Sequence, residues 1–192
     1  MPDPGSDPNR YIASAGSLPD WLVENWSSRY DFEELLRMAM WFNTPATTWL
    51  RANPLRTDGE QLVADLAAAD IDATFDDSQQ MVRLGSSTHV PSLPGFGDGH
   101  FTVQDPSAAS AARLLAPMPG QQVLDLCAAP GTKSTHLAEL MENRGRVVAA
   151  DSHPGRLKLI APAATRMGLS TIEAVLVDES GDNLPPGPVS YT

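Results

Sequence analysis

The sequence lacks several features that mark particular classes of protein. Its 192 residues contain one cysteine, Cys127, so an internal disulfide is impossible and a reducing, cytoplasmic location is expected. No apolar run approaches the roughly 18 residues that a membrane-spanning helix needs. The polar N-terminus shows no basic-then-apolar secretory signal. We therefore expect a soluble protein without a membrane partner.

Basic residues are also scarce, which bears on any nucleic-acid partner. Lysine and arginine number 13 against 24 aspartates and glutamates, giving a formal net charge of −11. Because proteins that grip phosphates usually display a basic stripe, composition alone does not suggest RNA. Arginine accounts for 11 of the 13 basic residues. That bias favours planar, bidentate contacts with phosphates or bases at a few places.

The N-terminal region is predicted to hold a tail and two helices. Residues 1–17 are rich in Pro, Gly, Ser and Asp and are predicted to be a disordered tail. Apolar periodicity then predicts helices that begin after Asp20 and after Asp31. The four tryptophans of the chain are Trp21, Trp26, Trp41 and Trp49. They could form a surface that stacks on nucleobases, but their spacing favours a packed helical core.

A β-α-β-β order is predicted after these helices. A β-prone run at 47–53 is followed by a helix that opens on the capping-box sequence of residues 57–60. Two short strands are predicted at 71–75 and 81–84. This order indicates a small α+β module, so residues 18–100 are expected to contain helices followed by that module.

Strands and helices alternate in residues 101–192. Strands are predicted at 123–127, 146–151 and 171–177, with helices between them, and residues 187–192 look like the approach to a fourth strand. The alternation and the apolar character of the second strand indicate a parallel sheet. The predicted fold class is therefore α/β, the first half of a Rossmann-type sheet, preceded by the α+β module and the N-terminal helices.

A ligand site is predicted at the carboxyl ends of these strands. Open α/β sheets bind ligands there, at a topological switch point. The first strand leads into a turn of small residues, while the second and third strands end at Asp151 and Asp178. A carboxylate that closes the second strand is where such folds hold ribose hydroxyls. Asp151 could instead simply cap the helix that follows it.

The turn after the first strand distinguishes between nucleotide cofactors. A dinucleotide site needs the spaced glycines of G-x-G-x-x-G so that backbone can approach a pyrophosphate. Here Gly131 is the only glycine of the turn, and P-loop spacing is absent. S-adenosylmethionine carries no phosphate and needs only close backbone approach, which Ala128, Ala129 and Gly131 allow. The turn and the nearby carboxylates therefore favour this cationic cofactor over NAD.

The same turn resembles a known family motif. The run LDLCAAPGTKS at residues 124–134 is similar to the cofactor loop D-x-C-A-A-P-G-G-K-T of the Sun/Fmu family of SAM-dependent RNA cytosine-C5 methyltransferases, the bacterial 16S rRNA type above all. Other similar stretches are residues 49–53, 93–96, 98–99, 103–107, and Asp151 followed by Arg156. The resemblance covers about residues 18–192.

The resemblance implies a reaction and a set of site residues. The implied reaction is methyl transfer from S-adenosylmethionine to C5 of a cytosine in RNA, with 16S rRNA as the implied substrate and no metal. The loop residues implied to wrap the methionine part are Cys127, Ala128, Ala129, Pro130, Gly131, Thr132 and Lys133. Asp151, with Arg156 beside it, would hold the ribose, and Asp178 would lie by the adenine.

Four polar residues near the motif allow alternatives. Thr132 stands where the family usually has a second glycine, and a β-branched residue would be costly if that position required a positive φ. The resemblance places Lys133 near the target base, yet a lysine that opens a helix is also an ordinary solvated residue. His136 and His153 have no partner at metal-ligand spacing, so we expect helix-surface or capping roles for them.

The nucleophile that the resemblance requires is not found in the 192 residues. Attack on C5 of cytosine needs a thiolate to add at C6, and the family uses one cysteine as nucleophile and another for product release. Cys127 belongs to the cofactor loop and lacks the basic surroundings that activate a thiol. We therefore expect an incomplete sheet and a chain that is inactive alone. The alternatives are a non-catalytic SAM- or RNA-binding subunit and a methyltransferase acting on tRNA.

Overall fold

A computed structural model describes residues 1–178 and 190–191 of the chain. The chain divides into two compact units, Met1–Ala46 and Thr47–Thr192. The first unit consists of helices, and the second contains two four-stranded sheets. In the described residues, no helix is both long enough and apolar enough to cross a membrane.

Three helices make up the first unit. They are α1 (Pro8–Gly16), α2 (Asp20–Trp26) and α3 (Phe32–Phe42). Contrary to the predicted disordered tail over 1–17, α1 is formed because the Asp7 side chain accepts a hydrogen bond from the Arg10 amide and Pro8 occupies the first turn. Its apolar face, with Ile12, joins the core of the unit, which composition alone did not reveal.

Contrary to the prediction, the tryptophans of the first unit do not form its core. Trp21 is 66% exposed and Trp41 is 70% exposed, while Trp26 is only partly buried against the core. The core is built from Ile12, Ala13, Val23, Leu35 and Ala39. Trp21 lies two residues before Val23, and Trp41 lies two after Ala39, so each points away from the buried face of its helix.

The first sheet of the second unit is antiparallel. Its strands are β1 (Trp49–Ala52), β2 (Ala73–Asp76), β3 (Met81–Leu84) and β4 (Phe101–Val103), in the order β2-β3-β1-β4, and its helix is α4 (Gly59–Ala67). The β-α-β-β order matches the prediction. However, β4 pairs with β1, with Arg51 opposite Thr102, whereas the sequence placed residue 101 at the start of the next domain.

The second sheet is parallel. Its strands are β5 (Gln122–Asp125), β6 (Arg146–Asp151), β7 (Ile172–Leu176) and β8 (Ser190–Tyr191), and the helices beside it are α5 (Pro106–Leu115), α6 (Thr132–Leu140), α7 (Pro154–Leu157) and α8 (Ile160–Met167). In the order β7-β6-β5-β8, the strands β6 and β7 lie on one side of β5 and β8 lies on the other. The α/β fold class is thus confirmed, and this change of side at β5 creates the switch point at which such sheets bind ligands.

The core of this sheet follows from the alternation of its strand residues. Val123 and Val147 pack on one face with Leu137 of α6 and with Met141, the C-cap of that helix. Leu124, Val148 and Ala150 lie on the other face. Every residue of β6 after Arg146 is buried, as expected for a strand of a parallel sheet covered on both faces.

Candidate cofactor site at the ends of the parallel strands

The turn between β5 and α6 is held by the carboxylate of Asp125. One of its oxygens accepts a hydrogen bond from the Cys127 amide at 3.3 Å, and the other accepts one from the Ser134 hydroxyl at 2.7 Å. Asp125 is 3% exposed. Both oxygens of Asp125 are therefore engaged in fixing the turn to the first part of α6.

The turn itself is compact because its residues are small. The Ala128 amide donates to the Ala150 carbonyl at 3.0 Å, which fastens the turn to β6, and the Gly131 amide donates back to Ala128 at 2.7 Å. Ala128 packs in a small cluster with Ala149 and Ile160. The peptide bond between Ala129 and Pro130 is cis. Because the side chains are small, they do not cover the backbone groups on the outer side of the turn.

The special backbone conformation of the turn falls on Gly131 and not on Thr132. Gly131 has φ +107° and precedes α6, whereas Thr132 is the first helical residue. The predicted cost of a β-branched residue at position 132 is therefore absent, because that residue does not need a positive φ. The carbonyl of Thr132 accepts a hydrogen bond from the Thr135 hydroxyl at 3.0 Å.

Asp151 joins the turn to the end of the second parallel strand. Its Oδ2 accepts a hydrogen bond from the Ala129 amide at 3.1 Å, and its Oδ1 accepts from the His153 amide at 2.9 Å and from the Arg156 guanidinium at 3.0 Å. The His153 amide, with the Ala129 amide and Arg156, lowers the pKa of Asp151. The carboxylate therefore stays ionised at neutral pH.

Asp151 also retains capacity for a ligand. A carboxylate oxygen can accept two hydrogen bonds, and Oδ2 receives one, from Ala129. The N-cap of α7 is His153, so the capping alternative does not apply to Asp151, whose Oδ1 binds His153 and Arg156 while its Oδ2 faces the turn. One more donor, such as a ribose hydroxyl, matches the remaining lone pair.

The other predicted site residues differ in exposure. Cys127 and Pro130 are exposed, while Thr132 and Lys133 are partly buried. Asp178 is exposed, and its neighbour Val177 donates its amide to the Asp151 carbonyl at 3.2 Å. The structure thus brings the turn, Asp151 and Arg156 into direct contact and places Asp178 next to a residue bonded to Asp151.

The two histidines near the motif have different roles. His153 caps α7 by accepting a hydrogen bond from the Arg156 amide at 3.3 Å, which confirms a capping role. His136 is 6% exposed, so the expectation of a helix-surface or capping role was wrong for it. In the described ranges, no group of three or more histidine, cysteine or acidic side chains is arranged to hold a metal.

A buried ion pair fastens α6 to β1, and sequence reasoning missed it. The Arg51 guanidinium donates from Nε to Oε2 of Glu139 at 2.9 Å and from Nη2 to Oε1 at 2.7 Å. It also donates to the Thr132 carbonyl at 3.0 Å and to the Thr135 hydroxyl at 3.1 Å. Gln104 accepts a further hydrogen bond from it. Arg51 thereby holds the first turn of the helix that follows the cofactor loop.

The surroundings of this pair are almost dry. Arg51 is 4% exposed and Glu139 is 2% exposed. Burial raises the pKa of Glu139, and the Arg51 charge opposes that rise. An arginine between two apolar residues of a short strand was the only sign of this contact in the sequence, and it does not identify the partner.

Asn53 and Arg166 also link the two sheets. Asn53 is fully buried and donates to the carbonyls of Gly99 and Met167, each at 2.9 Å. Arg166 lies over the Phe96 ring, with Cζ 4.0 Å from its centroid. The run at 49–53 resembles the start of an RNA-contacting module, yet its Arg51 and Asn53 face the interior. Their contacts are structural.

Known protein families match two parts of the chain. The family described as 16S rRNA methyltransferase RsmB/F matches residues 112–186. The RsmF/B-like ferredoxin-like domain matches residues 18–91. Between them the two matches cover most of both sheets described above.

Two bacterial proteins are similar to this chain over most of its length. The probable ribosomal RNA small subunit methyltransferase B of Bacillus subtilis is 38% identical over 90% of this chain and 38% of its own length. Its counterpart in Synechocystis is 39% identical over 82% of this chain and 36% of its own length. The chain therefore spans less than two fifths of these relatives.

Two solved structures have the same fold. The crystal structure of PH0851 covers 93% of this chain with a TM-score of 0.81 and 27% identity, and the match spans 40% of that protein. A methyltransferase homologue from Pyrococcus horikoshii covers 90% of this chain with a TM-score of 0.75 and 23% identity, and the match spans 57% of that protein. The second likeness concerns the fold alone.

Proposed function

We propose that the second unit of this chain, a member of the RsmB/F family of 16S rRNA methyltransferases, binds S-adenosylmethionine at the carboxyl ends of β5, β6 and β7. The observation that carries this proposal is the bonding of Asp151 to the turn through the Ala129 amide at 3.1 Å. It sets an ionised carboxylate beside a compact backbone turn at the switch point of the sheet.

The residues of the site are suited to a cationic nucleoside. The backbone of residues 127–133 would lie along the methionine part, which the small side chains of the turn permit. Asp151 would accept a ribose hydroxyl on Oδ2, and Arg156 holds the other oxygen of that carboxylate in place. Asp178 would receive the adenine amino group. The bound cofactor supplies an electrophilic methyl group on a positively charged sulfur, which nearby carboxylates attract.

For the substrate, we propose a cytosine of 16S rRNA, methylated at C5. The relatives from Bacillus and Synechocystis are named for the small-subunit ribosomal RNA, and the loop motif resembles that of cytosine-C5 enzymes. This chemistry needs a thiolate that adds to C6 of the ring. Cys127 is the only thiol of the 192 residues, and it lies in the cofactor loop. We therefore propose that residues 1–192 alone bind the cofactor but transfer no methyl group.

Calorimetric titration with S-adenosylmethionine tests the cofactor site. Asp151→Asn should weaken binding about tenfold or more, since a hydrogen bond to a charged acceptor contributes roughly 1.5–3 kcal/mol. Asp178→Asn, at an exposed position, should also weaken binding. Asp70→Asn is the matched control, because Asp70 is exposed and distant in sequence from the site. Absence of binding by the parent chain, or unchanged affinity in both site variants, would contradict the proposal.

A methyl-transfer assay tests the proposal that residues 1–192 alone transfer no methyl group. The 192-residue chain, incubated with radiolabelled S-adenosylmethionine and unmodified 16S rRNA, should yield no 5-methylcytidine after nuclease digestion. The cofactor titration on the same preparation is the control for a folded site. Formation of 5-methylcytidine by this chain would show that the thiol requirement is met without a further cysteine.

A further inference from the structure

A cavity of about 410 Å³ lies in the second unit. Its floor is buried and consists of Arg51, Gly59, His136 and Glu139. Its rim is exposed and includes Pro54, Asp58 and Gln80. No residue of 127–133 lines it. The cavity is therefore separate from the proposed cofactor site, and its volume is in the range of small-ligand pockets.

The charges around the cavity balance. Arg51 and Glu139 are paired with one another. Asp58 lies on the rim, where its carboxylate also accepts a hydrogen bond from the Gln61 amide at the start of α4. Arg113 supplies the second positive charge. Two basic and two acidic side chains thus line one cavity, which favours an uncharged ligand that carries polar groups.

In the described residues, a ring nitrogen of His136 and the side-chain amide nitrogen of Gln104 are buried without a hydrogen-bond partner. His136 is 6% exposed, and in the described part of the chain no group forms a hydrogen bond with its Nδ1. Burial, with the charges of Arg51 and Arg113, lowers the pKa of His136 to about 3. The imidazole is therefore neutral and presents one donor and one acceptor nitrogen. Because Nδ1 itself is closed to solvent, the ring nitrogen that could bond to a ligand in the cavity is Nε2.

Flat apolar surface completes the lining. The Phe75 ring is partly buried at the wall, and Pro54 and Leu140 add aliphatic surface. An uncharged, planar ring with donors and acceptors along its edge matches this combination. Its face would contact Phe75, and its edge would reach His136. Nucleobases have this chemistry, and every base offers a face for stacking on an aromatic side chain.

We propose that this cavity binds a nucleobase, stacked on Phe75 and hydrogen-bonded to His136, from an unpaired RNA nucleotide other than the one that is methylated. The choice of RNA as the source of the base rests on the proposed function. A free nucleoside has the same base chemistry, so the experiment includes both sources.

Binding measurements on the full 192-residue chain test this site. The probes are the four ribonucleosides, which are uncharged, and a single-stranded RNA hexamer, each followed by calorimetry and by the imidazole NMR signals of His136. S-adenosylmethionine is titrated in parallel. His136→Leu and Phe75→Leu should each weaken binding of the base about tenfold, from a lost hydrogen bond or a reduced stack. Both should leave cofactor affinity within about twofold of the parent value.

Matched controls separate binding from folding. His89→Leu and Phe42→Leu make the same replacements at exposed positions and should bind the probes like the parent chain. His136→Leu should also raise the melting temperature, because it removes a buried polar atom without a partner. Lost binding in that variant would then not result from unfolding.

The outcomes distinguish this inference from the proposed function. Hexamer binding that depends on His136 and Phe75 supports an RNA base, whereas nucleoside binding without hexamer binding overturns RNA as the source. A parent chain that binds S-adenosylmethionine but neither base probe overturns the site and leaves the proposed function intact. Base binding that both variants retain also overturns it. A parent chain that binds bases but not S-adenosylmethionine supports the cavity and contradicts the proposed function.

Discussion

Buried ionisable side chains in the second unit have partners, and His136 differs from them in this respect. Asp125 accepts hydrogen bonds from the turn and from Ser134. Arg51 and Glu139 form a bidentate pair. Partners offset the cost of removing such groups from water. His136 has no such compensation on Nδ1, so its protonated form is disfavoured in the fold.

We expect the stability of the chain to depend on pH through His136. Its pKa is about 3 in the fold against 6.5 for a free imidazole. As the pH falls below 6.5, the unfolded chain takes up a proton that the folded chain does not, so the free energy of unfolding decreases. The loss from this residue is about 2 kcal/mol between pH 8 and pH 5.

Urea unfolding of the parent chain and His136→Leu at pH 8 and pH 5 measures this effect. The variant should lose about 2 kcal/mol less than the parent over that interval, because the two chains differ only at this residue. His89→Leu, at an exposed position, should behave like the parent. Equal losses in the parent and in His136→Leu would show that the imidazole is not protected from protons.

At the scale of elements, local signals determined which predictions succeeded. The strand β6 and the turn after β5 carry their own evidence, an apolar run and a glycine before a helix. The helix α1 has a cap and a first-turn proline at Asp7 and Pro8, but its polar composition concealed them. The position of β4 depends on pairing with β1, about 50 residues earlier in the chain. Sequence periodicity contains no information on such pairing.

Of the candidate site, the sequence predicted that the turn and Asp151 lie together, but it did not predict the contact between Arg51 and Glu139. The turn and Asp151 follow one another along the strand-helix order, so the switch-point rule places them together. The contact between Arg51 and Glu139 joins residues 88 positions apart. Neither residue reveals the other in the sequence, because a buried ion pair is a product of how the two sheets pack.

The element formed by β5, the turn and α6 depends on the conformation of Gly131. We expect Gly131→Ala to lower the free energy of unfolding by about 1–3 kcal/mol, because φ +107° is strained for a residue with a side chain. Space is not the cause, since the added carbon would meet Ile160 at an ordinary 3.4 Å. S-adenosylmethionine affinity should fall as well, which calorimetry measures.

Gly120 is the matched control for this substitution. It has φ +90°, and an added carbon would meet nothing within 4 Å. Gly120→Ala should therefore cost similar stability while leaving cofactor affinity unchanged. A loss of affinity in both variants would indicate that reduced stability, and not the shape of the turn, governs binding.

At the scale of the second unit, Arg51 connects the antiparallel sheet to the cofactor turn. It belongs to β1, yet it donates to the Thr132 carbonyl in the first turn of α6 and to Glu139 farther along that helix. A ligand that orders the turn should also stabilise β1 through this link, since ligand binding stabilises the elements coupled to its site. S-adenosylmethionine should therefore slow amide hydrogen exchange in β1 as well as in the turn.

The double variant Arg51→Met/Glu139→Met tests this coupling. Arg51→Met alone should cost about 3–5 kcal/mol because it leaves the Glu139 carboxylate buried without its partner, whereas replacing both residues with apolar ones should restore most of the stability. In the double variant, S-adenosylmethionine should still protect the turn but no longer β1, because the hydrogen bond to the Thr132 carbonyl is gone. The protected turn serves as the internal control for binding. Undiminished protection of β1 in the double variant would mean that coupling between the sheets runs through the apolar packing and not through Arg51.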